Sequence, residues 1–394
     1  MFLVSRFWSG EQITSAADPK FSQLGFPEGF KNEKSWARLE SHFEASRSCD
    51  GCVEVEKTIA YSISGSPAAK CSASGLKIES AAMNALSEQG SYDYIMIAGP
   101  TASGKSQLAI DLAVEVGGEV INADSMQLYD GLSILTARPS YEEMKGVSHH
   151  LYGVLDASYR ASVAEWLKLA AEAMALVIDR GNVPIVIGGT GMYLNSAIYG
   201  IARVPAISDK IYEKMLSLYE EMGGEKFRKK LSKFDPELAA RLKDGDRQRL
   251  IRGMSVVVST GTPLSVWQKG SHKGSLVGEP LKIAVLPSRE ILYQRINNRF
   301  DQMINAGALD EVRRLAQRKL DPSLPLMKAL GFSSLKSVLE GKSTLDEAKF
   351  IGKRDSRHYA KRQMTWLRNN YNAQITINKK LSKSILENIF SYIR

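Results

Sequence analysis

From Tyr92 onward the apolar residues switch repeatedly between two spacings. Ile95-Met96-Ile97-Ala98 is an unbroken apolar run, while Leu108, Ile110, Leu112 and Ala113 follow a helical period. Glu119-Val120-Ile121-Asn122 is a second short run. Val163, Trp166, Leu167, Ala170, Ala171, Met174 and Val177 return to helical spacing, which Asp179-Arg180-Gly181-Asn182 ends before Val183-Pro184-Ile185-Val186-Ile187. Short runs without polar alternation are strands buried on both faces. Strands that alternate with helices predict a parallel sheet covered on both sides. The pattern stops at about Pro205, where Ile211, Met215, Leu216 and Tyr219 mark a helical insertion, and resumes with the strand Lys282-Ile283-Ala284-Val285-Leu286. Before Tyr92 no period holds. Stretches such as Ser62-Ile63-Ser64-Gly65-Ser66-Pro67 and Cys71-Ser72-Ala73-Ser74-Gly75 are small and polar, so residues 1–90 read as a loosely ordered extension.

The turn after the first strand carries chemistry. Gly99-Pro100-Thr101-Ala102-Ser103-Gly104-Lys105-Ser106 fits the spacing G-x-x-x-x-G-K-[ST]. Glycines let the backbone curl around a phosphate, successive amides form an anion nest, and the helix that follows adds its positive dipole end. Lys105 brings a mobile charge, and the Ser106 hydroxyl is a candidate ligand for Mg2+. The expected fold is therefore α/β: a P-loop-type parallel sheet with helices on both faces. The catalytic core spans 91–204 and 279–394, and the helical insertion spans 205–278.

Two other strand ends should face the same crevice, because ligands in such sheets bind beyond the carboxyl ends of the strands. The second strand runs into Asp124-Ser125-Met126-Gln127-Leu128-Tyr129. Asp124 there is open to three readings: a magnesium ligand, a general base, or a helix cap. The Val183–Ile187 strand closes on Gly188-Gly189-Thr190-Gly191-Met192-Tyr193-Leu194, where an ATPase of the phosphate-loop class usually places an acid. Glycines and a hydroxyl suit a phosphate or nucleoside cradle better than a site that splits ATP, with a plain tight turn as the other reading.

These three blocks together resemble the tRNA dimethylallyltransferases, the tRNA isopentenyltransferase family. The likeness continues through Asp246-Arg247-Gln248-Arg249-Leu250-Ile251-Arg252, Arg295-Ile296-Asn297-Asn298-Arg299-Phe300, Gly307-Ala308-Leu309, Lys328-Ala329-Leu330-Gly331-Phe332 and Tyr359-Ala360-Lys361-Arg362-Gln363-Met364-Thr365-Trp366-Leu367-Arg368, covering about 92–375. Leu135-Thr136-Ala137-Arg138-Pro139 stands where the family has Gly-Thr-Ala-Lys-Pro, and the 90-residue leader is outside the family pattern. No C-x-x-C/H-x-x-H cluster follows the core, as in the bacterial form.

The resemblance implies transfer of a dimethylallyl group from dimethylallyl diphosphate to N6 of the adenosine 3′-adjacent to the anticodon, with release of diphosphate. It implies Lys105, Thr190 and Arg299 around the diphosphate, Asp124 as the general base, and magnesium near Ser106. It further implies tRNA contacts from the anticodon stem-loop to Gln248, Arg249, Leu250, Ile251 and Arg252. Around the flipped base, Asp124, Ser125, Met126, Gln127, Thr190 and Tyr193 are the candidates.

Composition adds little but agrees. The chain has 394 residues, 44% of them apolar, and a formal net charge of +9. Lys226-Phe227-Arg228-Lys229-Lys230-Leu231-Ser232-Lys233 in the insertion holds five basic residues in eight, which suits a solvated face or a phosphate-backbone contact. Lys353–Arg368 holds six basic side chains against the single acid Asp355, and reads as a basic helix anchored by Tyr359 and Trp366. No apolar run approaches the roughly 18 residues of a membrane span. Three cysteines are too few for a disulfide framework, so the expected setting is a reducing cytoplasm; the chain is separately expected to act as a monomer. Cys49 and Cys52, with Cys71 and His42, allow a zinc site less readily than two plain thiols. Met83 is a candidate start for the functional protein. Two rival readings remain at this level: a nucleotide-kinase type of phosphotransferase, and an RNA-binding module with a nucleotide switch.

Overall fold

The structure, a computed structural model, describes residues 92–378 apart from residue 271, together with residues 386, 387 and 389. The leader, the Cys49/Cys52 pair and Met83 lie outside the described residues.

Strand β1 (Tyr94–Ala98) is buried along its whole length, as an apolar run without alternation demands. It sits inside a parallel sheet with β2 (Gly118–Ala123), β3 (His149–His150), β4 (Val183–Gly188), β7 (Pro280–Val285) and β8 (Ile375–Ile377), in the order β3-β2-β4-β1-β7-β8. Its side chains divide between two cores. Tyr94, Met96 and Ala98 join one, and Ile95 and Ile97 join the other. The second face is covered by α1 (Lys105–Val116) through Leu108, Ala109, Leu112 and Ala113. The first is covered by α2 (Val163–Asp179), α3 (Gly191–Tyr199) and the helices after β7: α9 (Arg289–Asn305), α10 (Ala308–Gln317), α11 (Phe332–Leu339) and α12 (Leu345–Asn370). Strand bounds differ from the sequence reading by one or two residues, and the short edge strands β3 and β8 carry too few apolar positions to announce themselves.

Register fixes where the loops emerge. Ala98 pairs with Gly188 on one side and Ala284 on the other, and Ala123 also pairs with Gly188. The ends of β2, β4, β1 and β7 therefore form one row across the sheet, and the loops that follow share one rim. The approach is close: a Cβ at Gly188 would lie 2.2 Å from the Ala123 carbonyl oxygen, so only glycine fits there.

Helix ends follow local chemistry. Capping boxes start α2 (Ser162 with Glu165) and α12 (Thr344 with Glu347). α1 starts differently, as described below.

The segment 205–278 contains α4 (Asp209–Met222), α5 (Gly224–Leu231), α6 (Pro236–Arg241), α7 (Arg247–Thr260) and α8 (Leu264–Lys269). These helices pack on a cluster of their own that includes Met215, Phe227, Leu231, Leu238, Leu250, Ile251, Met254 and Leu264. Buried Asp235 ties two of them together: its carboxylate accepts from the Leu238 amide at 3.0 Å and the Ser265 amide at 3.0 Å. A two-residue antiparallel ladder, β5 (Ile201–Ala202) with β6 (His272–Lys273), brings the outgoing and returning chain side by side. Among the described residues no helix is long and apolar enough to cross a membrane.

Candidate active site

The loop after β1 is shaped as an anion nest. Ala102 and Gly104 adopt left-handed backbone (φ 62° and 97°), which turns the intervening peptide units inward. α1 begins with no side-chain cap and no acid in its first turn. Among the described residues, the amides of Gly104, Lys105, Ser106 and Gln107 donate to no protein acceptor. Helix N-termini are normally satisfied by a capping side chain, water or a ligand. Here the sequence has left that role to a ligand, and the dipole selects an anion.

Cations converge on the nest. Lys105 Nζ folds back to donate to the Pro100 carbonyl at 3.3 Å. Loss of solvation pushes its ammonium down to about 8; Arg299 pushes the same way, and Asp124 opposes. Arg299, from α9, donates to Thr101 Oγ1 at 3.5 Å and to the Ala137 carbonyl at 3.4 Å. Burial works against its charge, while Asp124 and Glu143 support it. Arg295, one turn earlier, donates to the Ser103 carbonyl at 3.1 Å and braces the loop from outside. Ser103 itself points inward: its hydroxyl is buried without a partner, in the space a side chain at position 99 would need. Its amide donates to the Pro100 carbonyl at 3.2 Å, so Ser103 shapes the loop. Ser106 is exposed at the start of the helix, with its hydroxyl free of protein hydrogen bonds.

Across the rim lies Asp124. Asn122, fully buried, builds its setting: Oδ1 accepts from the Asp124 amide at 2.8 Å, and Nδ2 donates to the carbonyls of Asp124 and Leu151, both at 3.0 Å. Asp124 Oδ1 accepts from the Met126 amide at 3.0 Å, an Asx turn, and Oδ2 takes no protein donor. The helix-cap reading of Asp124 thus gives way to a turn residue with one oxygen to spare. Asp124 also acts on its surroundings. Its negative charge helps to raise the phenols of Tyr152 and Tyr359, after burial, which is the larger cause in both.

Thr190 joins the two halves. Its Oγ1 accepts from the Ser125 amide at 3.1 Å, beside Asp124, and it starts α3 without capping it. The Glu311 carboxylate, buried on α10, holds the far end of the same rim by accepting from the amides of Ser133, Ile134 and Leu135. That turn presents the Ala137 carbonyl to Arg299.

Several residues expected at the site are elsewhere. Tyr193 is a core residue, stacked on Trp166 with ring centroids 4.3 Å apart, and it shows no face to a flipped base. Leu250 and Ile251 are buried inside the insertion, so of the Asp246–Arg252 block only Gln248, Arg249 and Arg252 are turned to solvent among the expected contacts. Gln127 spends its amide NH2 on the carbonyls of Thr136 and Ala137, both at 2.9 Å, which leaves only its oxygen for a ligand. Met126 is half-buried against the sheet core. Conversely, α12 contributes more than a basic surface. Gln363, 6% exposed, receives the Thr101 amide on Oε1 at 2.9 Å and donates from Nε2 to the Gly189 carbonyl at 2.9 Å. A signal for it existed in the spacing Tyr359, Gln363, Trp366, which is one helical face, but nothing local says what that face meets.

Comparison with known proteins agrees with this geometry. A family model described as IPP transferase matches residues 127–370, and one described as isopentenyl transferase matches 92–159. The chain is 45% identical to a tRNA dimethylallyltransferase of Parvibaculum lavamentivorans over 76% of its own length and 95% of the relative's. It is 44% identical to the enzyme of that name from a Caulobacter species, over 70% and 89%. Among solved structures, the tRNA isopentenylpyrophosphate transferase of Bacillus halodurans superposes with a TM-score of 0.55 at 34% identity, covering 77% of this chain and 96% of that one. A eukaryotic dimethylallyltransferase described as acting on tRNA gives 0.61 at 31% identity, covering 70% of each.

Proposed function

The chain belongs to the IPP transferase family, and from that premise we propose that its crevice moves a dimethylallyl group from dimethylallyl diphosphate to N6 of the adenosine 3′-adjacent to the anticodon of tRNA. The observation that carries this reading is the pairing of a nest whose amides have no protein acceptor, after β1, with a carboxylate oxygen that takes no protein donor, after β2, on the same rim of the sheet with β4 between them. An ATP-splitting site would need an acid at the end of β4, and that strand ends in Gly188-Gly189-Thr190.

The adenine amine is a weak nucleophile, since its lone pair is delocalised into the ring. In the proposed step that lone pair attacks the allylic C1 while the C1–O bond breaks, and the electron pair leaves on the diphosphate. The amides of Gly104–Gln107 with Lys105 and Arg299 disperse the charge that grows there, in a fixed arrangement that needs no reorganisation during the reaction. The amine proton passes to Asp124 Oδ2 as the C–N bond forms. Thr190 holds the Asp124 turn in place through the Ser125 amide.

A magnesium ion fits this site only as a companion of the substrate. Among the described residues no group of three or more His, Cys, Asp or Glu could hold a metal, and magnesium commonly binds through one or two protein oxygens plus phosphates and water. The free Ser106 hydroxyl would hold it, and the ion would supply positive charge to the leaving diphosphate. The acceptor's RNA would run toward the exposed Gln248, Arg249 and Arg252 and the basic face of α5. We take the acting species to be a monomer in the cytoplasm, with tRNA and dimethylallyl diphosphate as its partners.

The test is direct. The full chain, unmodified tRNA, magnesium and dimethylallyl diphosphate labelled in the prenyl group are combined, and the RNA is digested to nucleosides. Label in N6-dimethylallyl-adenosine supports the reading. Label that stays in dimethylallyl diphosphate, alongside turnover of ATP, would replace it with a phosphotransferase.

A further inference from the structure

One face of α12 covers the turn after β4 residue by residue. Tyr359, Gln363 and Trp366 lie at i, i+4 and i+7, hence on one side of the helix. Gln363 donates to the Gly189 carbonyl at 2.9 Å, and a Cβ at Gly189 would come within 2.3 Å of Gln363 Nε2. A Cβ at Gly191 would come within 2.5 Å of the Trp366 ring. Between them, Thr190 faces the Tyr359 phenol, whose hydrogen bonding to Thr190 partly offsets its upward shift. Gly191 is thus required by contact with α12, and Gly189 by contact with both Gln363 and the Gly99 carbonyl at 2.8 Å; neither has a positive φ.

Gln363 has a second partner. Its Oε1 accepts the Thr101 amide at 2.9 Å, and Thr101 Oγ1 in turn accepts from Arg299. One buried amide group therefore bridges the loop that grips the diphosphate and the turn that holds the Asp124 side through Thr190 and Ser125. Both of its hydrogen-bonding ends are used. The backbone bond from the Gly99 amide to the Gly188 carbonyl, 3.2 Å, ties the roots of the same two loops, but Gln363 ties them at the level of the reacting groups.

We propose that Gln363 is a positioning residue for the transfer: it sets the spacing between the leaving-group half and the acceptor half of the site. This deepens the functional reading above and rests on it. Each half keeps its own contacts without Gln363, so ground-state binding of each substrate should survive its loss. What is lost is the alignment of amine, C1 and leaving oxygen, and misplacement by about 1 Å costs on the order of 10²-fold in rate. A residue of this kind lowers kcat with little change in KM.

The experiment uses the full chain with Gln363→Met, which keeps volume and removes both hydrogen bonds, and Gln363→Glu, which keeps the acceptor for Thr101 and loses the donor to Gly189. Transfer of label to tRNA is measured with both substrates varied, next to thermal unfolding. The expected result is a fall in kcat of about 10²-fold for the Met variant, with KM for either substrate within about threefold, and recovery of roughly a tenth of that loss or more by the Glu variant. A Met variant with kcat within twofold of the parent overturns the assignment. So does a fall in kcat in both variants that is matched by unfolding at the assay temperature, which marks Gln363 as structural. A parent chain that transfers no label fails the functional reading itself and takes this assignment with it, an outcome visible before any variant is compared.

Discussion

Strands β1 and β4 are neighbours in register, and each runs through a glycine-rich turn into a helix that lacks a side-chain cap. The two turns are nevertheless filled in opposite ways. After β1 the backbone turns left-handed at Ala102 and Gly104, the amides at the start of α1 have no acceptor, and Lys105 and Arg299 close in. After β4 there is no cation in the turn, and its carbonyls and hydroxyl are engaged with neighbours. The Gly189 carbonyl receives Gln363, the Thr190 hydroxyl receives the Ser125 amide, and the Thr190 carbonyl receives Tyr193 and Leu194. Cations gather about the free amides of the first turn, while the carbonyls and hydroxyl of the second hold its neighbours. A parallel sheet supplies equivalent strand ends, and side chains decide which of them binds and which of them positions.

The sharpest way to break this comparison is to damage one side alone. Asp124→Asn keeps the Asx turn and removes the basic oxygen. It should lower kcat by a factor on the order of 10²–10⁴ while dimethylallyl diphosphate binds as in the parent. Transient kinetics with the pre-formed enzyme–diphosphate complex reads both numbers. On the other side, Lys105→Ala removes a charged contact to the phosphates. Its affinity for dimethylallyl diphosphate should drop roughly ten- to a hundredfold by calorimetry, from the loss of one charge-assisted hydrogen bond.

The same lysine gives the comparison a pH signature. Its ammonium is held down to about 8 by burial, and bound diphosphate would raise it again. Binding must therefore take up a proton above pH 8, and affinity should weaken by about tenfold per pH unit as pH rises beyond that point. Below pH 8 the lysine is already charged and the slope vanishes. Lys105→Arg, charged throughout, should show a flat profile over the same range.

The smallest effect belongs to the insertion, far from both turns. Arg249→Ala should weaken tRNA binding several-fold and reduce the slope of log affinity against log salt by about one. Leu250→Ala, at a buried position in the same motif, should instead lower stability by about 2–5 kcal/mol, read as a shift in chemical unfolding, with the salt slope unchanged.

What could be read from the sequence was whatever is local. Ile95–Ala98, Val183–Ile187 and the spacing of Gly99, Gly104 and Lys105 each report on neighbours in the chain, so strands, the nest and Asp124 at a strand end were all legible. Facing was not. The block Asp246–Arg252 mixes Arg249, in solvent, with Leu250 and Ile251, in a core, because a helix turns 100° per residue while a motif is read as a string. Tyr193 was misplaced for the same reason: a tyrosine two residues past a glycine turn has already rotated onto Trp166. Gln363 escaped because its partners, Thr101 and Gly189, lie far away in sequence, and only the packed structure brings them to one amide.

The central claim is that the phosphate loop serves as a leaving-group clamp, with the proton acceptor held separately at the end of β2, across β4 in the sheet. It is tested most directly by single-turnover transfer to tRNA at saturating dimethylallyl diphosphate, with Asp124→Asn and Lys105→Ala run beside measurements of diphosphate affinity. The account predicts that Asp124→Asn is slow with parental affinity, and that Lys105→Ala binds the diphosphate weakly. Parental transfer by Asp124→Asn, or a loss of diphosphate binding in it equal to that of Lys105→Ala, would contradict the division of labour between the loop after β1 and the turn after β2.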